Sequence, residues 1–368
     1  MEKIKSVYIH IPFCNSICSY CDFCKVVSNP DWIKPYISKL AEEIDNGYLG
    51  EVIETLYVGG GTPSCLNVED LEQLFNVLNK FKLSDSVEFT FECNLNDLTE
   101  DKLKVLYKNG VNRLSVGIES FDEDKLKFMN RESNFKDAKK KIELARSIGF
   151  NNINLDLMYA IPNETIKVLK KDIKKIVKLK PEHISTYSLI IENNTLVGLN
   201  KVKPIEEERD SKMYDLICKK LKKSGYLHYE ISNFSKKGFE SKHNLNCWNQ
   251  KEYIGFGLAA HSYIDNKRFC NTSNIKDYIT NIQNNNIEIC EIQNEEDKKK
   301  EYMLLGLRKI EGVNIQEFKN KFIDNPIYLF HKELEKLVKE DLLEIDLNNI
   351  KLTSKGLDLA NLVWEEFV

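Results

Sequence analysis

Residues 9–24 read IHIPFCNSICSYCDFC and place four cysteines, Cys14, Cys18, Cys21 and Cys24, within eleven positions. Thiols this close together, in a chain with no recognisable secretory signal, read as a metal or redox site and not as a disulfide framework. Cys14, Cys18 and Cys21 form C-x3-C-x2-C. A structural zinc site draws two ligands from each of two separated knuckles and fills all four positions. Three thiolates from one loop leave a metal position open, which suits an iron–sulfur cluster whose remaining iron takes an outside ligand. A zinc loop completed by Cys24 or a histidine is the alternative. The other six cysteines, Cys65, Cys93, Cys218, Cys247, Cys270 and Cys290, are scattered and read as small buried hydrophobes.

A second feature lies downstream. YVGGGTP (57–63) sets three glycines directly after an apolar run. Glycines there let backbone N–H and C=O groups approach a ligand closely; a tight strand-to-helix turn would use the same residues.

The elements that must position these residues follow from periodicity. Strand candidates are 6–11, 55–60, 87–93, 112–118, 152–158 and 183–189, and amphipathic helical segments cover 34–45, 69–81, 99–109, 134–148 and 165–178. Strand and helix alternating six times predict an α/β fold with parallel strands, better suited to a partly closed β/α barrel than to a doubly wound sheet. In such a barrel the working residues sit at the C-terminal ends of the strands. Cys14, Gly59–Pro63 and Glu92 fall there.

Beyond the barrel, the sequence predicts a helix over 206–224, a Gly/aromatic-rich stretch over 225–263, and a terminal unit entered through NEEDKKKEY (294–302). Helices in EGVNIQEFKNKF and HKELEKLVKEDL, then a hairpin with an Asn-Asn turn in LEIDLNNIKLTSKG, suggest a winged-helix-like α+β module. The expected division is 1–240, 241–294 and 295–368. From 295 onward there are 12 Lys/Arg against 16 Asp/Glu. That balance lacks the counter-charge of a DNA-binding wing, so a structural or docking role is expected. The whole chain of 368 residues has a net charge of −4, which gives no reason to expect nucleic acid or anionic lipid. No stretch approaches the ~20 apolar residues of a membrane span, and the expected location is the cytoplasm.

C-x3-C-x2-C after one strand and Gly-Gly-Gly-Thr-Pro after the next resembles the radical S-adenosylmethionine (SAM) superfamily. The resemblance implies a [4Fe-4S] cluster on Cys14, Cys18 and Cys21, with SAM on the open iron and the glycine loop against its methionine end. It also implies reductive cleavage of SAM to a 5′-deoxyadenosyl radical, the cofactor supplying the chemistry and the protein the positioning. YIHIPFC, YCDF, GGGTPS, NRLSVGIESF, NLDLMYAIP, EHISTYSL, HNLNCW and LLGLRKIEGV, in order across nearly the whole chain, are similar to the HemW family. HemW proteins are relatives of HemN, the oxygen-independent coproporphyrinogen III dehydrogenase, and are regarded as haem-binding chaperones. Two features favour HemW. Tyr8 lies seven residues from the start, where HemN has a long extension, and Cys24 falls one position later than HemN's extra cysteine. Cys24 is therefore expected to be a bystander.

By that resemblance Tyr8 and Tyr20 would lie near SAM and the cluster, and Gly60, Gly61 and Thr62 would line the methionine end. Glu92 would bind an amine or hydroxyl, Arg131 the SAM carboxylate, and Asp156 the ribose hydroxyls. Glu119 stands where relatives usually carry Gln, which adds a negative charge. Glu119 and Arg131 could equally form a salt bridge. HNLNCW matches a haem-associated H-N-x-x-Y-W motif with Cys247 for Tyr, making His243 an axial-ligand candidate, Trp248 a porphyrin contact and Cys247 a second ligand candidate. His261 is a further candidate, whereas His10 is expected to serve the cluster loop or the core. No catalytic residue is assigned. Haem, a haem-accepting protein such as a membrane respiratory protein, and a second copy of the chain are the partners implied. The rival enzymatic readings are oxidative decarboxylation of coproporphyrinogen III and radical-driven haem breakdown.

Overall fold

The structure, a computed structural model, describes residues 4–280 and 287–368. Six parallel strands form where periodicity places them: β1 (Ser6–Ile11), β2 (Val52–Gly60), β3 (Lys82–Asn94), β4 (Arg113–Glu119), β5 (Ile153–Tyr159) and β6 (His183–Ser188). β1, β4 and β5 are buried on both faces for most of their length, as parallel strands covered by helices must be. The crossover helices are α1 (Pro30–Gly47), α2 (Val68–Leu78), α3 (Glu100–Lys108), α4 (Phe135–Ile148) and α5 (Ile166–Lys178). Each begins at an Asn or Thr whose side chain accepts a backbone N–H of the first turn: Asn29, Asn67, Thr99, Asn134 and Thr165. Each then buries an i, i+3/i+4 stripe, such as Leu169, Ile173 and Ile176 in α5.

After α6 (Glu207–Lys223), the hairpin β7 (Leu227–Glu230) and β8 (Asn233–Ser235) pairs antiparallel with β6. The chain then forms α7 (Lys242–Trp248) and β9 (Tyr253–Phe256), which pairs parallel with β1 as a seventh parallel strand. The antiparallel run β10 (His261–Ile264), β11 (Lys267–Asn271) and β12 (Ile287–Ile292) completes a twelve-stranded sheet of order β12-β11-β10-β9-β1-β2-β3-β4-β5-β6-β8-β7. One reading is corrected here. Cys270 and Cys290 are not buried packing residues; they lie on the neighbouring strands β11 and β12, Cys270 opposite Glu288 and Cys290 at the register shift, and are joined as a disulfide, with Cys290 exposed.

The C-terminal module has its own core, with Met303, Phe318, Leu334 and Ile350 almost fully buried. It includes α8 (Glu295–Gly306), α9 (Ile315–Phe322), α10 (His331–Lys339), the short helices Pro326–Leu329, Ser354–Asp358 and Ala360–Glu365, and a separate sheet of β13 (Val313–Asn314), β14 (Leu343–Ile345) and β15 (Asn349–Leu352). The hairpin turn differs from the expected Asn-Asn by one residue. Asp346 accepts the N–H groups of Asn348 and Asn349, putting Leu347 and Asn348 at the tip. No helix among the described residues is long and apolar enough to cross a membrane.

Candidate cluster and SAM site

The cysteine loop is tied at its base. Phe13–Cys14 pairs parallel with Val26–Val27, Val26 N–H donates to Pro12 O at 2.8 Å and Ser28 N–H to Cys14 O at 2.8 Å. Its far side rests on the short helix Glu123–Phe128. Ser19 donates to Phe128 O and Met129 O, and the Asn130 amide to Ile17 O at 2.9 Å. That helix is itself pinned by Lys125, buried between Glu164 at 2.6 Å and Asp172 at 3.2 Å.

Cys14, Cys18 and Cys21 open onto one cavity of about 400 Å³ at the C-terminal rim of β1–β6. Cys14 is buried, and its Sγ lies 3.5 Å from Thr62 Oγ1. Burial, with the neighbouring cysteines Cys21 and Cys18 adding to it, pushes its thiol up to about 11 against the pull of Thr62. Metal ligation would replace that proton, since thiolates are the ligands. Cys24 does not line the cavity. Its Sγ points to Ser273 O at 3.6 Å, and its carbonyl accepts His10 Nε2–H at 2.8 Å. A carbonyl only accepts, so His10 carries its proton on Nε2, and Nδ1 accepts from the Tyr8 hydroxyl at 3.0 Å. Burial lowers His10 to about 4, keeping it neutral. His10 thus serves the cluster loop.

The glycine run is explained by what a side chain would meet. A Cβ on Gly59 would fall 2.7 Å from the Glu92 carboxyl carbon, and one on Gly61 would fall 2.7 Å from the Pro12 backbone. Gly60 has φ +111° and would drive a Cβ to 2.6 Å from the His10 ring. Strand, cluster loop and glycine loop therefore interlock: Gly61 N–H donates to Ile11 O and Thr62 N–H to Phe13 O.

Five carboxylates line the same cavity: Glu92, Glu119 and Asp156 on the strands, and Asp22 and Glu192 on loops. Glu92 accepts from Tyr57 OH at 2.7 Å and from Gly60 N–H at 3.2 Å, while burial raises its carboxyl above the usual range. Glu119 sits at φ +63° with Oε1 3.6 Å from Arg131 Nη2. Asp156 accepts from the Asn154 amide at 2.7 Å and is pushed up to about 7, by burial first and then by the charge of Glu119. Arg131 and Lys25 are the cations of the lining, and Arg131 sets Nη2 on Gly117 O at 2.6 Å and Nη1 3.6 Å from Cys18 Sγ.

The cavity thus joins Cys14, Cys18 and Cys21 with Tyr20, Gly60, Gly61, Thr62, Glu92, Glu119, Arg131 and Asp156. Tyr8 stands just outside, its ring 6.1 Å from Tyr57. Sequence reading missed Asn94, Ser115, Gly117, Met158 and Tyr187, which also line the cavity. Alternation along the strands was the available signal: 92/94, 115/117/119 and 156/158 share the inward face.

The chain matches the Radical SAM superfamily over residues 8–176 and the HemN C-terminal domain over 293–359. The heme chaperone HemW of Lactococcus lactis subsp. lactis (strain IL1403) is 37% identical over 374 residues, covering 100% of this chain and 98% of the relative. The heme chaperone HemW of Bacillus subtilis (strain 168) is 38% identical, covering 99% of both. The chain belongs to the HemW family. The Escherichia coli coproporphyrinogen III oxidase HemN shares the fold, with TM-score 0.88 at 23% identity over 100% of this chain and 90% of that one.

The HNLNCW segment of this HemW-family chain forms α7, away from the cavity. Glu88 caps the helix, accepting Lys242 N–H and His243 N–H at 3.0 Å. His243 is buried, its Nδ1 3.0 Å from Thr55 Oγ1 and its ring 5.0 Å from that of Tyr57. Burial, then the Arg113 charge, lowers it to about 4. Tyr57 stands between His243 and Glu92. The Arg308 guanidinium lies 4.4 Å from the Trp248 ring and 4.9 Å from that of Trp364, so α7 docks on the C-terminal module. Cys247 is half-buried, its thiol raised to about 11 by burial. His261 is exposed on β10.

Proposed function

We propose that this chain binds a [4Fe-4S] cluster through Cys14, Cys18 and Cys21, binds SAM beside it, holds haem and delivers it to an acceptor protein. The observation that supports this most is end-to-end similarity to proteins named heme chaperone HemW, in a chain whose three motif cysteines and glycine loop share one cavity. The donor set fits the small-molecule cofactor: Glu92 accepts an ammonium, Arg131 a carboxylate and Asp156 ribose hydroxyls. When bound, the cluster supplies an electron to SAM. The protein's own part is to hold the cysteine loop closed, to keep the glycine backbone bare, and to balance the carboxylates with Arg131.

In their present arrangement His243 and Trp248 do not fit a porphyrin, since one is packed against Tyr57 and the other against Arg308. Haem binding through His243, Cys247 and Trp248 would require α7 to part from both. The division at 240 and 294, a cytoplasmic location, a membrane respiratory protein as acceptor and a homodimer belong to the same proposal. Haem titration of reduced protein, followed by absorbance, tests it. A stable one-to-one complex weakened by His243→Ala is the result expected; no complex with wild type overturns it.

A further inference from the structure

We propose that His261, Cys270 and Cys290 form a second metal site, for one zinc-type cation, on the open edge of the main sheet. The three residues come from three consecutive antiparallel strands, β10, β11 and β12. His261 stands directly opposite Cys270 in register, so both side chains leave the same face. A ring nitrogen of His261 and the two sulfurs all lie within 4.8 Å of one another. Among the described residues, no other trio of His, Cys or carboxylate side chains is drawn together in this way.

The sulfurs of Cys270 and Cys290 are joined in this structure, across a Cα–Cα distance of 6.1 Å. A thiol or phosphine reductant that supplies two electrons opens the S–S bond to two thiols, which lose their protons on ligation. Zinc–sulfur bonds of about 2.3 Å in a tetrahedral site set the two sulfurs about 3.8 Å apart, a span that this backbone separation accommodates. Two thiolates and an imidazole favour zinc over magnesium or calcium, which take oxygen ligands. The fourth position faces solvent, because His261 and Cys290 are exposed. Haem fits less well: three donors on one side chelate a single ion, whereas a porphyrin iron accepts ligands only along its axis. Ligation would tie β12, exposed along its whole length, to the sheet behind it.

The site does not depend on the cluster, and its test keeps the two apart. Full-length protein with its iron–sulfur centre reconstituted is reduced with a phosphine under nitrogen and given one equivalent of Zn²⁺. Retention is measured by competition with a chromophoric chelator and ligation by zinc K-edge absorption. We expect one zinc per chain with two sulfur ligands and one imidazole nitrogen. We expect Cys290→Ser and His261→Ala each to weaken retention by more than the roughly tenfold cost of losing an outer-shell partner, with iron and sulfide content unchanged. Both substitutions lie on exposed positions, and circular dichroism checks that the fold persists. No retained zinc, an oxygen-only coordination shell, or equal retention by a Cys270→Ser/Cys290→Ser variant would overturn the site. So would haem that displaces the zinc and loses its spectrum in His261→Ala.

Discussion

Arg131 reaches Cys18 Sγ at 3.6 Å with one guanidinium nitrogen and the Gly117 carbonyl at 2.6 Å with the other. The second nitrogen also lies 3.6 Å from Glu119. One side chain thus links the cysteine loop, the fourth barrel strand and the Glu119 carboxylate. With side chains 12% and 9% exposed, Arg131 and Glu119 are screened by little water. Breaking such a pair from one side costs about 3–5 kcal/mol. Arg131→Met strands the Glu119 carboxylate and should therefore lower the unfolding free energy by about that much and weaken SAM binding, whereas Glu119→Gln leaves Arg131 its Gly117 O partner and an amide oxygen to donate to, and should cost less. Equal losses in both variants would contradict this account of Arg131.

The glycine loop yields a second prediction. Gly60→Ala combines a left-handed backbone with a clash on the His10 ring, and Gly61→Ala meets Pro12 backbone, which cannot turn aside. Each should cost more than the ~1 kcal/mol of an ordinary Gly→Ala misfit. Calorimetry should find SAM binding lost in both variants while Cys14, Cys18 and Cys21 still take up iron. Wild-type SAM affinity in Gly61→Ala would show that the loop has room the structure does not give it.

Burial lowers four imidazoles, His10, His183, His228 and His243, and each weakens the fold as pH falls. His10 and His243 are held near 4 by burial, against 6.5 when free. Because the unfolded chain takes up protons first, their contribution is complete above pH 6.5 and is lost as pH falls towards 4. The loss is about 3 kcal/mol for each. Asp156 has the opposite sign: raised to about 7, its contribution is present below 3.8 and lost as pH rises through 7. Between pH 6.5 and 4 the imidazoles oppose Asp156 and Glu43, both raised to about 7 by burial, and His243→Gln should make stability fall less, or rise more, on acidification through that window. An unchanged slope would mean that His243 is already solvated. SAM affinity should rise as Asp156 ionises through pH 7, and Asp156→Asn should flatten that dependence.

Much of this was legible in the chain because it is local. The strand 6–11, the cap residues and the cysteine spacing lie within a few residues of their effects, and buried parallel strands announce themselves as apolar runs. What escaped depends on distant partners. The strand Tyr253–Phe256 is four residues long, and its parallel place beside β1 comes from tertiary pairing alone. Nothing near Trp248 signals that Arg308, sixty residues on, will cover it. Cys270 and Cys290 are twenty residues apart, and the pairing of their two strands, with a register shift at Cys290, brings them together. The hairpin tip moved by one residue because Asp346, a better turn acceptor than the asparagines after it, takes both N–H groups.

The most direct test of the central claim is anaerobic turnover. Cluster-reconstituted protein would be given SAM and dithionite with either haem or coproporphyrinogen III, with products followed by mass and haem by absorbance. The account predicts a stable haem complex and no chemical change to either tetrapyrrole. Protoporphyrinogen formed with stoichiometric methionine would contradict it and make the chain an oxygen-independent coproporphyrinogen dehydrogenase.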